Sequence, residues 1–241
     1  MSVRQLFGLE PDKLSANVLR ISGGSCFDYY GSYEFKFPQG GDIDLTKIGL
    51  WGIDKPVKTG DLCVYVIRNA AGDSGMIASQ EKFSGDVTCP AGFFVYRKLP
   101  FGVVYNPAWD GIPNFHIAGW PRPDIRLTDS EYSGKWTAVA NGNAAEWADA
   151  DVSGWVPDNA RIVLLMLESR YVSGTAGSSY VRSHGGQSTG LLVGSVSPGS
   201  PFQFTCVPLR VDSLRRFQYK TTGTGCRLNA YVLGYSMTEP A

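Results

Sequence analysis

The chain has 241 residues, 43% hydrophobic and 18% charged, a balance that excludes a disordered chain and can build one large β domain or two small ones. Lysine plus arginine number 22, as do aspartate plus glutamate, so no net field steers the chain to nucleic acid or to anionic lipid. No apolar run approaches the roughly 20 residues of a membrane helix, so no membrane insertion is expected. The opening MSVRQLFGLEPDKLSANVL has no apolar signal core, so synthesis in the cytoplasm is expected.

From the N-terminus, residues 1–16 carry Leu6, Phe7 and Leu9 ahead of the first strand pattern. Gly8 and Pro11 interrupt any helix over 2–14, and so short a stretch, expected as an arm, cannot bury a core of its own. Segments 18–22 and 33–37 alternate apolar and polar residues as half-buried strands do. Segment 62–68 is β-branched and aromatic, stops at Asn69-Ala-Ala-Gly72, and has 75–80 as its expected hairpin partner. Strands at 93–98, 102–105 and 113–118 follow. Pro121 and Pro123 then stop both helix and strand, and the polar stretch to about Gly134 predicts a linker.

Beyond it, 136–140 is a short strand closed by the turn Asn141-Gly142, with a short helical stretch over 143–149. Segment 161–168 is apolar on both faces and predicts a central strand, whereas 174–190, rich in glycine and serine, predicts a flexible loop. Strands at 201–208, 216–220 and 226–235 complete the series. The last places Leu228, Ala230, Val232 and Gly234 on one face and Asn229, Tyr231, Leu233 and Tyr235 on the other. Both faces are apolar, so one is expected against a neighbouring chain. The candidate interface is therefore Leu6, Phe7, Leu9, Tyr231, Leu233 and Tyr235. Many strands without long helices predict an all-β fold of two tandem antiparallel β-sandwich (jelly-roll-like) domains. The expected boundaries are an arm at 1–16, sandwiches at 17–120 and 135–241, and a linker at 121–134.

No GxSxG, HExxH, P-loop or strand-borne GxGxxG is present. The two histidines, His116 and His184, lie in different halves, and Ser183-His184 falls in the glycine-serine stretch. No catalytic residue, metal or cofactor is expected, and no enzyme activity. Two carboxylate pairs, Asp42/Asp44 and Asp149/Asp151, could each converge on a cation from an extended strand, or serve the turns beside them. Five cysteines, Cys26, Cys63, Cys89, Cys206 and Cys226, make an odd set without a CxxC pair and are expected as free thiols. Aromatic residues such as Trp109, Trp147 and Trp155 suit cores and interfaces, or rings stacked on sugars.

Two segments resemble virion proteins of tailed bacteriophages. In 62–115, Val-Tyr-Val-Ile-Arg-Asn-Ala-Ala-Gly is followed by Cys-Pro-Ala-Gly-Phe-Phe-Val-Tyr-Arg-Lys-Leu-Pro-Phe-Gly-Val-Val-Tyr and by Gly-Ile-Pro-Asn-Phe, similar to a module of tail-fibre and tail-associated proteins. From 148, Ala-Asp-Ala-Asp-Val-Ser-Gly-Trp-Val-Pro-Asp-Asn-Ala-Arg-Ile-Val-Leu-Leu resembles the opening of a β-sandwich in similar proteins. Leu99-Pro100 departs from the pattern where a plain Ile-Gly is usual. The resemblance implies a non-catalytic part of a tailed phage or phage-like virion: tail fibre, baseplate or adaptor, or head spike. It implies a homo-oligomer, as a trimer, contacting other virion structural proteins and contributing to host attachment. A glycan-binding receptor module and a capsid decoration protein are the alternatives.

Overall fold

Short segments of alternating character, punctuated by glycine, proline and asparagine, form strands throughout the computed structural model, which describes residues 6–109, 111–118, 124–128, 136–186 and 189–237. The fold is all-β: among the described residues the only helical turns are two of 3-10 type, Ser84–Asp86 and Pro107–Trp109. No helix among them is long and apolar enough to cross a membrane. The chain divides into two compact units, Met1–Ile125 with Met237–Ala241, and Arg126–Ser236.

The first unit contains β1 (Leu6–Gly8), β2 (Pro11–Ser15), β3 (Val18–Ile21), β4 (Gly24–Phe27), β5 (Glu34–Phe37), β6 (Gly41–Asp44) and β7 (Gly52–Ile53). It continues through β8 (Gly60–Asn69), β9 (Ser74–Ser79), β10 (Phe93–Tyr105) and β11 (Phe115–Ala118). Where two sheets are expected over 17–120, strand pairing gives three small ones: β1-β4-β5, β2-β3-β6 and β10-β8-β9-β7. The expected hairpin of β8 with β9 is present, with Tyr65 opposite Ile77. The strands expected at 93–98 and 102–105 are one strand, β10, whose register on β8 shifts between Lys98 and Gly102. Pro100 sits in that irregular stretch, as a residue without an N–H must. Residues of the expected arm pair as strands instead: β1 lies on β4 and β2 on β3. Backbones approach so closely at β1 and β4 that a Cβ on Gly24 would overlap the Phe7 carbonyl oxygen.

β12 (Asp124–Leu127) occupies the expected linker. The second unit then contains β13 (Thr137–Gly142), β14 (Ala148–Asp151), β15 (Ala160–Tyr171), β16 (Gly177–Ser183), β17 (Leu191–Val196), β18 (Phe202–Arg210), β19 (Arg216–Thr221) and β20 (Cys226–Met237). β13 and β15 both pair with β20, β18 pairs with β15, and a second sheet runs β14-β19-β16-β17. Strand period explains the core. Val163, Leu165 and Leu167 of β15, Leu228, Ala230 and Val232 of β20, and Val181 and Phe217 of the second sheet are fully buried. Ser169, Ser179 and Cys226 are buried with them and bond to one another: Ser169 Oγ to Ser179 Oγ at 2.9 Å, and Ser179 Oγ to Cys226 Sγ at 3.2 Å.

Three local expectations fail in this unit. The alanines of 143–149 do not form a helix; the end of the stretch enters β14, which gains ladder bonds and burial of Ala150 beside Phe217. Asn141-Gly142 is not a turn beyond the strand but the last two residues of β13: Asn141 takes φ +51° and the register on β20 shifts between Val139 and Gly142, a bulge in place of a turn. The glycine-serine stretch 174–190 holds β16, where Ser179 and Val181 face inward.

Candidate functional site

Two outer faces of the second unit gather its chemistry. The first covers β14-β19-β16. Asp149 on β14 points outward, as do Arg216, Gln218 and Lys220 on β19 and Tyr180 and Arg182 on β16, because their neighbours Ala150, Phe217 and Val181 fill the core. His184 follows β16 and lies between two carboxylates, with Nε2 3.3 Å from Asp149 Oδ2 and Nδ1 3.1 Å from Asp212 Oδ2. Arg216 donates to both acids, at 3.1 Å to Asp149 and 2.9 Å to Asp212. Gln218 Nε2 donates to Asp149 Oδ1 at 2.9 Å and Arg182 Nε donates to Gln218 Oε1 at 2.9 Å. The Arg182 guanidinium lies 4.0 Å above the centre of the Trp147 ring, with the Lys220 ammonium at 5.2 Å.

This network sets its own electrostatics. The hydrogen bond from Gln218 and the charges of His184 and Arg216 hold the Asp149 carboxyl below its ordinary range. Burial pushes Asp212 the other way, but hydrogen bonds and charge from Arg216 outweigh it and leave Asp212 lowered as well. A neutral imidazole has one N–H, so only the imidazolium can donate to both carboxylates. His184 thus spans two acids whose oxygens are also taken by Arg216, an arrangement that ties together the segments of β14, β16 and β19.

The second face is the outer side of β20-β15-β18. Asn229 Nδ2 donates to Glu168 Oε2 at 2.7 Å and the Tyr231 hydroxyl approaches the same oxygen at 3.4 Å, so Asn229, Tyr231 and Glu168 share this side. On β18, Phe202, Phe204, Cys206 and Pro208 alternate with Val207, which is buried, and stand opposite Arg170, Glu168, Met166 and Leu164 of β15. Phe202 is 49% exposed and Phe204 59%.

The residues expected at an interface scatter. Leu6, Leu9 and Tyr235 are buried in the chain, Tyr231 and Leu233 are half-buried, and Phe7 is exposed. On the sheet that holds β20, the bare apolar side chains Phe202 and Phe204 lie two strands away on β18. The Phe-Gln-Phe-Thr pattern of 202–205 carried that signal; which side faces the core depends on the β15 register. The carboxylate pairs are engaged by neighbouring side chains and turn amides. Asp42 accepts from Arg20 at 2.8 Å, and Asp44 accepts from the Thr46 amide and hydroxyl and meets Lys47, contacts that lower it to about 2. Asp151 caps a turn through the Ser153 amide at 2.7 Å. Among the described residues no group of three or more His, Cys, Asp and Glu is placed to hold a metal. No disulfide joins the five cysteines: Cys26, Cys63 and Cys226 are buried, Cys89 is half-buried and Cys206 exposed. Burial pushes the Cys26 thiol up to about 12. Trp155 is half-buried, and the Trp109 side chain lies outside the described residues.

The first unit carries an open groove of about 530 Å³ lined in part by Val87, Cys89, Phe93 and Val95, with no charged side chain among its described lining. His116 lies there too, exposed, in a second groove with Glu10, Asp12 and Arg20. No protein family matches the chain, and no curated protein matches it.

Proposed function

We propose that this chain is a structural component of a tailed phage or phage-like particle, an oligomeric assembly module that holds particle proteins together and contributes to host attachment. One observation carries the reading: the strand order of the second unit. Its strands pair as β13-β20-β15-β18 and as β14-β19-β16-β17, so all successive strands but β16 and β17 change sheets, an order that supports reading the unit as an eight-stranded jelly roll. Viral capsid proteins use that architecture repeatedly, as do lectins. The fold alone does not select among its many hosts; the resemblance of 62–115 and 148–165 to virion proteins supplies the direction. Three copies is the number that this resemblance implies.

The reading is non-catalytic. His184 is engaged by Asp149 and Asp212, both bound by Arg216. A glycan platform is favoured less at this face, because the Trp147 ring lies under Arg182 instead of standing bare. The test is to place the protein in a particle. Antibodies raised against the purified chain should decorate particles at one fixed position, and mass spectra of those particles should contain the chain in stoichiometric amount. Particles that carry neither the label nor the chain would overturn the proposal.

A further inference from the structure

We infer that the outer face of β15 and β18 is the surface through which copies of this chain bind one another; the inference rests on the assembly reading above and names its contact. β18 is the terminal strand of its sheet among the described residues, and the side chains it turns outward are Phe202, Phe204, Cys206 and Pro208. Two half-exposed phenylalanines on one strand face keep apolar area in water at roughly 25 cal/mol per Å². β17 runs alongside, tied by the Ser195 amide to Gln203 Oε1 at 2.9 Å, on the side of β18 opposite the two rings.

The size of the patch suits a second protein surface. A phenylalanine side chain offers roughly 150–250 Å², so these two half-exposed rings present on the order of 200 Å² of apolar surface. A standard interface covers about 800 Å² on each partner, a little over half of it apolar. The two rings are therefore enough for the centre of one such interface, with Cys206, Pro208, Glu168 and Arg170 around them.

Two features say that the occupant is another copy and that it covers the face. Glu168 and Arg170 lie two residues apart on β15, on the outward side, opposite Phe204 and Phe202; Arg170 stacks on Phe202 with its guanidinium 5.6 Å from the ring centre. Patches of successive copies that converge on one symmetry axis bring Glu168 of one beside Arg170 of the next, so the surface is complementary to itself. Glu168 already accepts from Asn229 and Tyr231, and a carboxylate has lone pairs left for a further donor. Pro208 has no N–H to offer an added strand, which blunts β18 as a template for sheet extension and favours contact through side chains.

Sedimentation velocity of the purified full chain across 1–100 μM reads the claim. The parent protein is expected as an oligomer, and the double variant Phe202→Lys, Phe204→Lys should raise the dissociation constant roughly thirty-fold or more, the scale of a lost aromatic hot spot. Leu214→Lys, at a leucine 60% exposed in the loop before β19, is the control and should leave association unchanged. Far-ultraviolet dichroism confirms that the variants fold. A second arm uses Cys206, on the same face: a short bis-maleimide should link copies of the parent through Cys206, and Cys206→Ser should abolish the product. A parent that is monomeric at 100 μM, or a folded double variant that associates like the parent, overturns the inference. A monomer found in particles would defeat this interface alone, whereas an oligomer absent from particles would defeat only the virion reading.

Discussion

The two units reach a β fold with strands of different length. In the first, short strands of two to five residues dominate outside β8, β9 and β10, and their backbones come close: Gly24 meets the Phe7 carbonyl, and Gly41 lies against the Trp51 ring. In the second, strands run up to twelve residues, and Val163, Leu165 and Leu167 of β15 are buried in alternation, with Phe217 among the fully buried side chains. Both units combine the two kinds of contact: the first also buries Tyr65, Phe101 and Ile77 fully, and in the second a Cβ on Gly177 would overlap the Thr222 carbonyl oxygen. Where strands are short they supply few alternate positions to bury, so the β1 and β4 region should be sensitive to added atoms, and the long strands of the second unit to removed ones.

The largest effect is expected in the second unit. Phe217→Ala removes a fully buried ring and should cost about 3–5 kcal/mol, seen as a lower denaturant midpoint and faster amide exchange in β16 and β19. A cost below about 1 kcal/mol would mean that the sheets collapse into the cavity and that volume does not hold them. In the first unit one methyl group should suffice. Gly24→Ala forces a Cβ into the backbone of β1 and should cost about 1–3 kcal/mol, whereas Gly85→Ala, where nothing stands within 4 Å, should be close to neutral. Equal midpoints for these two variants would remove the contrast between the units.

A smaller effect tests the polar contact inside the second core. Ser169→Ala leaves Ser179 with only the Cys226 sulfur nearby and should cost about 1–3 kcal/mol. Ser169→Ala combined with Ser179→Ala removes both hydroxyls and should cost less than the sum of the single changes, because no buried partner is orphaned. Additive costs in thermal melts would show that the two hydroxyls act separately.

Strand positions were legible because alternation is local. β3, β5, β8, β9, β15, β18, β19 and β20 each sit on a segment whose own apolar period or β-branched content predicts a strand. Sheet order was not, since the pairing of β13 and β15 with β20 joins residues far apart in sequence. Local propensity misled where tertiary contact outweighed it. The alanines before Asp149 favour helix, yet Ala150 is worth more opposite Phe217 in a ladder. Leu9 takes φ +58°, which no helix accommodates, and is fully buried between β1 and β2. The polar face was invisible for the same reason as the sheet order. Asp149, His184 and Asp212 belong to three separated segments, and only the pairing of β14, β19 and β16 brings them together. Asp149 stands out in the sequence as one of a carboxylate pair; in the fold its partners are His184, Arg216 and Gln218.

The smallest expected effect is on that face, and it depends on pH. Asp149 and Asp212 titrate below the ordinary carboxylate range in the folded protein. A group whose folded pKa is depressed binds fewer protons folded than unfolded, so its stabilising contribution is complete above the unfolded value and is lost as pH falls through the folded one. The second unit should thus keep its stability down to about pH 4 and lose part of it below. The two acids differ in cause, and that separates them. Asp149 is held chiefly by the Gln218 hydrogen bond, so Gln218→Leu should move the acid midpoint up by a fraction of a unit. Asp212 is held against burial by bonds from Arg216, so Asp212→Asn should flatten the acid limb and lower stability near neutral pH, where Arg216 and His184 lose a charged partner. At about 0.5 M salt the Coulombic share fades, because the screening length shrinks to a few ångströms, while the hydrogen-bonded share persists. Acid unfolding followed by tryptophan fluorescence at low and high salt measures both. An acid limb identical in the parent and in Asp212→Asn would mean that this network orders the face without stabilising it.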